Sequence, residues 1–159
     1  MTTNTLIHQY TDEAGDIVSI WHNIRIADSL AFLDFKLVYA ETILNKFSST
    51  TFLNAVINRI DRIEVIYTVR NNEVLLGGAF EHNTVLNEVY MTLAFVPVKH
   101  RDSFFAKHRL VQDTVFREMM LARGVIQLVG WINVNNTKAL KVFERRGFVQ
   151  ESIKVVRQL

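Results

Sequence analysis

The sequence predicts an α+β fold in which a mixed sheet carries helices, and three observations point to it. Three strand-like runs follow one another between Arg62 and Val96, a separate apolar run spans Val125 to Val134, and segments of helical period stand before, between and after them. Strands joined by short turns pair antiparallel, whereas a strand reached through a helix pairs in parallel, so the order of elements implies a sheet with both kinds of ladder. With 159 residues and no linker or repeat, the chain reads as a single domain, 1–159, large enough for one core.

In chain order, "DIVSIWHNIRI" (Asp16 to Ile26) alternates apolar and polar residues as a half-buried strand does. Asp28 and Ser29 each offer a side-chain oxygen to open a helix, and "LAFLDFKLVYAETILNKF" then puts Leu30, Leu33, Leu37, Tyr39 or Ala40, and Ile43 or Leu44 on one face. A second short helix, Phe52 to Ile60, follows "SSTT". Strands are expected over Arg62 to Arg70, Glu73 to His82 and Glu88 to Val96, the first two joined at Asn71 and Asn72, which tolerate left-handed backbone angles and so suit a tight hairpin.

"DSFFAKHRLVQDTVFREMMLARG" returns to helical period, with Phe104, Val111, Val115 and Met119 along one stripe and Gly124 as a left-handed stop. "VIQLVGWINV" (Val125 to Val134), rich in β-branched residues, is expected to be a strand buried on both faces. A short helix follows: Asn135 or Asn136 caps it, Ala139, Leu140, Val142 and Phe143 form its buried face, and Gly147 ends it before a last strand, Phe148 to Val156.

Several function classes are excluded by composition. Cysteine is absent, which removes disulfides, thiol nucleophiles and cysteine-containing zinc sites. The formal charge of +2 gives no strong signal for nucleic acid or a membrane surface. The N-terminus lacks the basic start and apolar core of a signal peptide, and no apolar run approaches the roughly 20 residues of a spanning helix, so the expectation is a cytoplasmic protein or a soluble part of a larger assembly, not a secreted one. The five histidines, His8, His22, His82, His100 and His108, show no metal-binding spacing, and neither a GxSxG elbow nor a GxxxxGK[ST] loop is present.

The stretch "WINVNNTKALKVFERRGFVQES" (Trp131 to Ser152) carries the most specific pattern. Asn136, Ala139, Val142, Phe143, Glu144, Arg145, Gly147 and Phe148 resemble, position by position, the motif that closes the nucleotide-binding half of the GCN5-related N-acetyltransferase (GNAT) superfamily. A small residue at Ala139 lets a helix approach the sheet, Gly147 turns the chain into the next segment, and Asn136 and Phe143, two helical turns apart, share a face. The resemblance implies a twisted mixed sheet of about six to seven strands flanked by about four helices, and transfer of an acetyl group from acetyl-CoA (or another acyl-CoA) to an amine acceptor. A glycine in the second hairpin strand, Gly77 or Gly78, fits it as well.

Residue roles follow from the resemblance. Glu88, directly or through water, is the implied base for the amine; Tyr90 is the candidate proton donor to the leaving thiolate, because Phe143 stands where many members carry a tyrosine. Backbone groups of Thr92 to Phe95, Leu93 among them, are implied to meet the pantetheine arm, and Asn136 and Phe143 the coenzyme from the short helix. The family's glycine-rich phosphate loop is missing: Val96 to Arg109 contains no glycine. Lys99, Arg101 and Ser103 at the helix start, with further cations at Lys107, His108 and Arg109, are the candidates to replace it. The sequence also resembles small GNAT-like virion or head-assembly proteins of tailed bacteriophages, which implies a structural protein with protein partners as the alternative.

Overall fold

The computed structural model describes residues 4–44, 57–101, 106–130, 132, 136–151 and 157. Six strands form one sheet in chain order: β1 (Thr5–Thr11), β2 (Ile17–Asn23), β3 (Glu64–Arg70), β4 (Glu73–Asn83), β5 (Glu88–Phe95) and β6 (Gln127–Gly130). Neighbours are antiparallel except β5 and β6, which pair in parallel through the helix that joins them. The helices are α1 (Phe32–Leu44), α2 (Ala106–Ala122) and α3 (Thr137–Arg145). Asn71 and Asn72, both at positive φ (51° and 61°), make the two-residue hairpin between β3 and β4, as their side chains predict.

β3 and β4 are buried on both faces, and alternation along β3 assigns its residues to two layers. Val65 and Tyr67 pack with Ala79 and Phe95 against Phe35, Val38 and Tyr39 of α1. Ile66 faces the other way, with Ile20, Phe80 and Val89, against Phe116 and Met120 of α2. On the α1 side the ring of Phe95 lies directly over Gly77, in the space that a Cβ would occupy, and meets Phe35 edge to face with centroids 6.1 Å apart.

Several sequence expectations are corrected. The buried face of α1 is Ala31, Phe35, Val38 and Tyr39, whereas Leu30, Leu33 and Leu37 are 69%, 61% and 57% exposed. The segment is apolar nearly all round, and the aromatic row that meets Phe95 takes the inward side. Ser29 does not cap α1: its hydroxyl returns to the Ile26 carbonyl at 2.8 Å and closes a 3₁₀ turn, Ile26–Asp28.

β6 is not buried on both faces; as the last strand of the described sheet it has Gln127 exposed and Leu128 to Gly130 only half-buried. Phe148 to Glu151 have no strand geometry, and the rest of the expected last strand lies outside the described residues. β1 is an additional strand. Its alternation is broken by a bulge between Leu6 and His8 and most of its side chains are exposed, so it carries little periodic signal. Of the expected helix Phe52 to Ile60, Ile57 and Asn58 are helical and residues 52–56 lie outside the described set.

The inner stripe of α2 is His108, Gln112, Phe116 and Met120, one residue round from the expected Val111, Val115 and Met119, which are half-buried; Phe104 lies outside the described residues. Two polar side chains can occupy this stripe because each is bonded across the layer: His108 Nδ1 lies 2.5 Å from the Tyr10 hydroxyl, and Gln112 Oε1 accepts from the Thr68 hydroxyl at 2.7 Å. Burial, then the nearby Arg70 charge, lowers the His108 pKa. The helix stops at Gly124 (φ 76°), where the Val125 amide bonds the Met120 carbonyl and the Gly124 amide that of Leu121, a Schellman motif.

Just before that stop, Arg123 holds Glu64 of β3 with two bonds, 2.7 and 2.9 Å, while His22 of β2 meets the same carboxylate at 2.7 Å. Burial alone would raise the Glu64 pKa, but the bonds from His22 and Arg123 and their charges bring it down to about 2. A carboxylate depressed in the folded state contributes stability above its unfolded pKa and loses it as the pH falls through the folded one. The window is therefore about 4.5 down to about 2. The contribution at neutral pH is on the order of 2 kcal/mol after allowance for solvent screening.

Glu64→Gln is expected to lower the thermal midpoint by several degrees at pH 7, and in a pH series the difference from the parent should shrink between pH 4.5 and 2. A difference that stays constant across that range would show that the carboxylate charge is not what holds the layers. Gly77→Ala, which drives a methyl into the Phe95 ring, is expected to cost about 1–3 kcal/mol in denaturant unfolding.

Candidate functional site

The parallel ladder between β5 and β6 runs from Glu88↔Gln127 to Met91↔Gly130, and no further pair is formed among the described residues. At the same level β5 carries a bulge: Ala79 pairs with Leu93 but Phe80 with Met91, which leaves Thr92 as the extra residue. Above this point a cavity of about 470 Å³ opens between β5, α2 and α3. β5 contributes Met91, Ala94 and Phe95, followed by Val96; α3 contributes Ala139, Val142 and Phe143, with Asn136 at its head.

α3 is fixed at both ends by the motif residues. Asn136 is its N-cap, its side-chain oxygen accepting from the Ala139 amide at 3.2 Å. At the other end the Phe148 amide bonds the Phe143 carbonyl at 3.1 Å and the Gly147 amide that of Glu144 at 3.0 Å, with Gly147 at φ 87°. This is again a Schellman motif, closed by Phe143 and Phe148 edge to face at 4.9 Å. The helix that walls the cavity is thus held by its own capping residues.

Three of the sequence candidates line the cavity: Phe95, Asn136 and Phe143. The others stand elsewhere. Leu93 packs into the layer of α1, and the Thr92 hydroxyl is buried without a hydrogen-bond partner among the described residues. The Tyr90 hydroxyl donates to Glu88 at 3.1 Å, and neither residue lines the cavity. Lys99 and His100 are paired with Glu73, and Arg101 with Glu41 and the Val96 carbonyl. Ser103 lies outside the described residues.

The charged residues at the cavity are Arg109 and Asp113 on α2 and Lys138 and Arg146 from α3 and its end. Arg146 contacts Asp113 at 3.4 Å. Burial raises the Asp113 pKa although both arginines draw it down, and burial followed by the Arg146 charge lowers that of Arg109. One carboxylate thus faces two guanidiniums, and positive charge is left over in a partly desolvated wall. Sequence reading placed Arg109 only among a run of cations and passed over Lys138, Asp113 and Arg146. The available signal was spacing: Arg109, Asp113 and Phe116 fall at i, i+4 and i+7 on one face of α2.

Among the described residues no group of three or more metal-ligating side chains is close enough to hold an ion, and no helix is long and apolar enough to cross a membrane.

No protein-family model matches the chain, and no curated protein matches its sequence. Solved structures do match its shape. A putative acetyl transferase from Pyrococcus furiosus superposes with a TM-score of 0.65 at 15% identity, covering 89% of this chain and 99% of the other. An aminoglycoside acetyltransferase from an uncultured soil metagenomic sample gives 0.59 at 13% identity over 89% and 96%. The ribosomal-protein-alanine N-acetyltransferase of Brucella melitensis biovar Abortus 2308 gives 0.58 at 14% identity over 89% and 99%. The order of strands, the single parallel pair, the helix walls on both faces and these likenesses agree: the chain has the fold of the GCN5-related N-acetyltransferases, in a divergent form.

Proposed function

We propose that the chain is an acyl-CoA-dependent N-acyltransferase, a protein of the cytoplasm that moves the acetyl or another acyl group to an amine. The observation that carries this reading is the surplus of positive charge from Arg109 and Arg146 around Asp113, in the wall of a cavity between β5, α2 and α3. A cofactor with phosphates at one end and a thioester arm at the other fits such a wall, and side-chain cations there take the place of a glycine loop. Arg109 and Arg146, with Lys138, are better placed for it than Lys99 and Arg101, which are neutralised by Glu73 and Glu41.

Acyl-CoA supplies the thioester carbonyl that the amine attacks. Glu88, which stands outside the cavity about three residues down β5 from Met91, takes the proton from the attacking nitrogen through a chain of waters; the new C–N bond forms as the C–S bond breaks, and the thiolate leaves. The backbone of Thr92 to Phe95 and the side chain of Asn136 orient the arm. Phe143 has no proton to give, and Tyr90 is held on Glu88, so the thiolate is protonated slowly and the turnover is low.

Titration of the purified protein with CoA is expected to give binding that Arg109→Ala combined with Arg146→Ala weakens by tenfold or more, whereas Lys99→Ala leaves it nearly unchanged. In an acetyl-transfer assay with an amine panel, Glu88→Gln is expected to lower kcat about 10²-fold with little change in KM for the thioester. Absence of CoA binding at millimolar concentration would overturn the transferase reading. It would favour a structural or assembly protein on the same fold, such as a bacteriophage virion component, the reading to which the neutralised Lys99 and Arg101 and the missing hydroxyl at Phe143 point.

A further inference from the structure

The carboxylates of Glu64 and Asp113 both face arginine, and they are held in opposite ways. Glu64 takes two bonds from Arg123, at 2.7 and 2.9 Å, and meets His22 at 2.7 Å, and its pKa falls to about 2. Asp113 has two arginines near it, Arg109 one turn back on α2 and Arg146 past the end of α3. Its contact with Arg146 is nevertheless 3.4 Å, Oδ2 to Nη2, beyond the roughly 2.7–2.9 Å of a charge-assisted hydrogen bond. Burial prevails over both arginines, and the Asp113 pKa stands above its ordinary value. The two side chains are also partly open to solvent, Arg146 by 29% and Asp113 by 41%. A long, half-exposed ion pair of this kind adds little to the fold and exchanges easily.

We infer that Asp113 is a placeholder counter-ion, whose carboxylate competes with a phosphate group for Arg146 and Arg109 and so limits how tightly the cavity holds an anion. The inference rests on the coenzyme A reading above and names the residue that tunes the same site. Its basis is electrostatic. Burial and then the Arg146 charge lower the Arg109 pKa, so the two arginines oppose each other and an anion beside them relieves both. A carboxylate that already does this repels a phosphate in a wall only partly reached by solvent. Arginine holds phosphate best through two parallel N–H bonds, and Nη2, one arm of that fork in Arg146, is the atom turned to Asp113.

The other groups at the cavity do not change the sign. Lys138 adds positive charge from α3, and the strands contribute no titratable side chain to the lining. On α2 itself Arg117, one turn beyond Asp113, is exposed. A phosphate held beside Asp113 raises the carboxyl pKa further, so binding takes up a proton and affinity rises as the pH falls toward that pKa.

The test is calorimetric titration of the full chain and of Asp113→Asn with CoA and with 3′-dephospho-CoA, whose diphosphate diester does not titrate near neutral pH. Asp113→Asn is expected to bind both about tenfold more tightly at about pH 7.5, and the difference should shrink toward about pH 5.5 as the parent carboxyl takes its proton. In an Arg146→Gln background the same substitution should gain less, because the cation for which the carboxylate competes is gone. Thermal midpoints of the unliganded variants check that they fold. Where Asp113→Asn does not, the parent decides alone: dephospho-CoA binding at about pH 5.5, measured in two buffers of different ionisation enthalpy, should take up part of a proton. Unchanged or weaker binding by Asp113→Asn, or no proton uptake by the parent, would overturn the placeholder and leave the transferase reading standing. Absence of CoA binding by both the parent and Asp113→Asn would overturn both.

Discussion

The seating of Phe95 on Gly77 and against Phe35 is the contact on which the site depends, because it fixes the end of β5 that forms one wall of the cavity. Two local features shape the rest of the cavity. The bulge at Thr92 increases the bend of β5, and α3 is clamped between the Asn136 cap and the Gly147 stop, so its wall cannot collapse onto the strand. Packing on the far face works in the same direction. Phe95, seated on Gly77 and against Phe35, is anchored to the α1 layer and keeps the end of β5 with the antiparallel part of the sheet.

The second organising feature is polar. α2 is joined to the sheet by three side-chain bonds along its length: His108 to Tyr10 of β1, Gln112 to Thr68 of β3, and Arg123, just past its end, to Glu64 of β3. Apolar contacts alone tolerate sliding by a turn, whereas directional bonds at three points specify one axial position. That position places Arg109 and Asp113 opposite Arg146 of the neighbouring helix terminus and Phe116 against Phe80. The electrostatics of the site are therefore a consequence of how α2 is registered on the sheet. The cations before the helix, Lys99 and Arg101, are drawn instead to Glu73 and Glu41.

Much of the architecture was legible because it is local. The Asn71-Asn72 hairpin, the stops at Gly124 and Gly147 and the Asn136 cap follow from backbone angles and hydrogen bonds within a few residues, and the apolar runs of β3 and β4 reflect burial on both faces. β1 was not legible, since an exposed edge strand with a bulge has no clear period. Nor was the partial burial of β6, which depends on what packs on its two faces rather than on its composition.

The sequence by itself determined the kinds of element, their order and the caps that end them, because these arise from interactions over one or two helical turns or across a tight hairpin. Only the tertiary structure decided which face of α1 turns inward, where aromatic packing against Phe95 prevails over a row of leucines that are equally apolar. It also decided which cations are paired, and with which carboxylates. Charge neutralisation acts between side chains far apart in the chain, Arg101 with Glu41 and Arg146 with Asp113, and it is set by the packing of helices and strands rather than by neighbours in sequence.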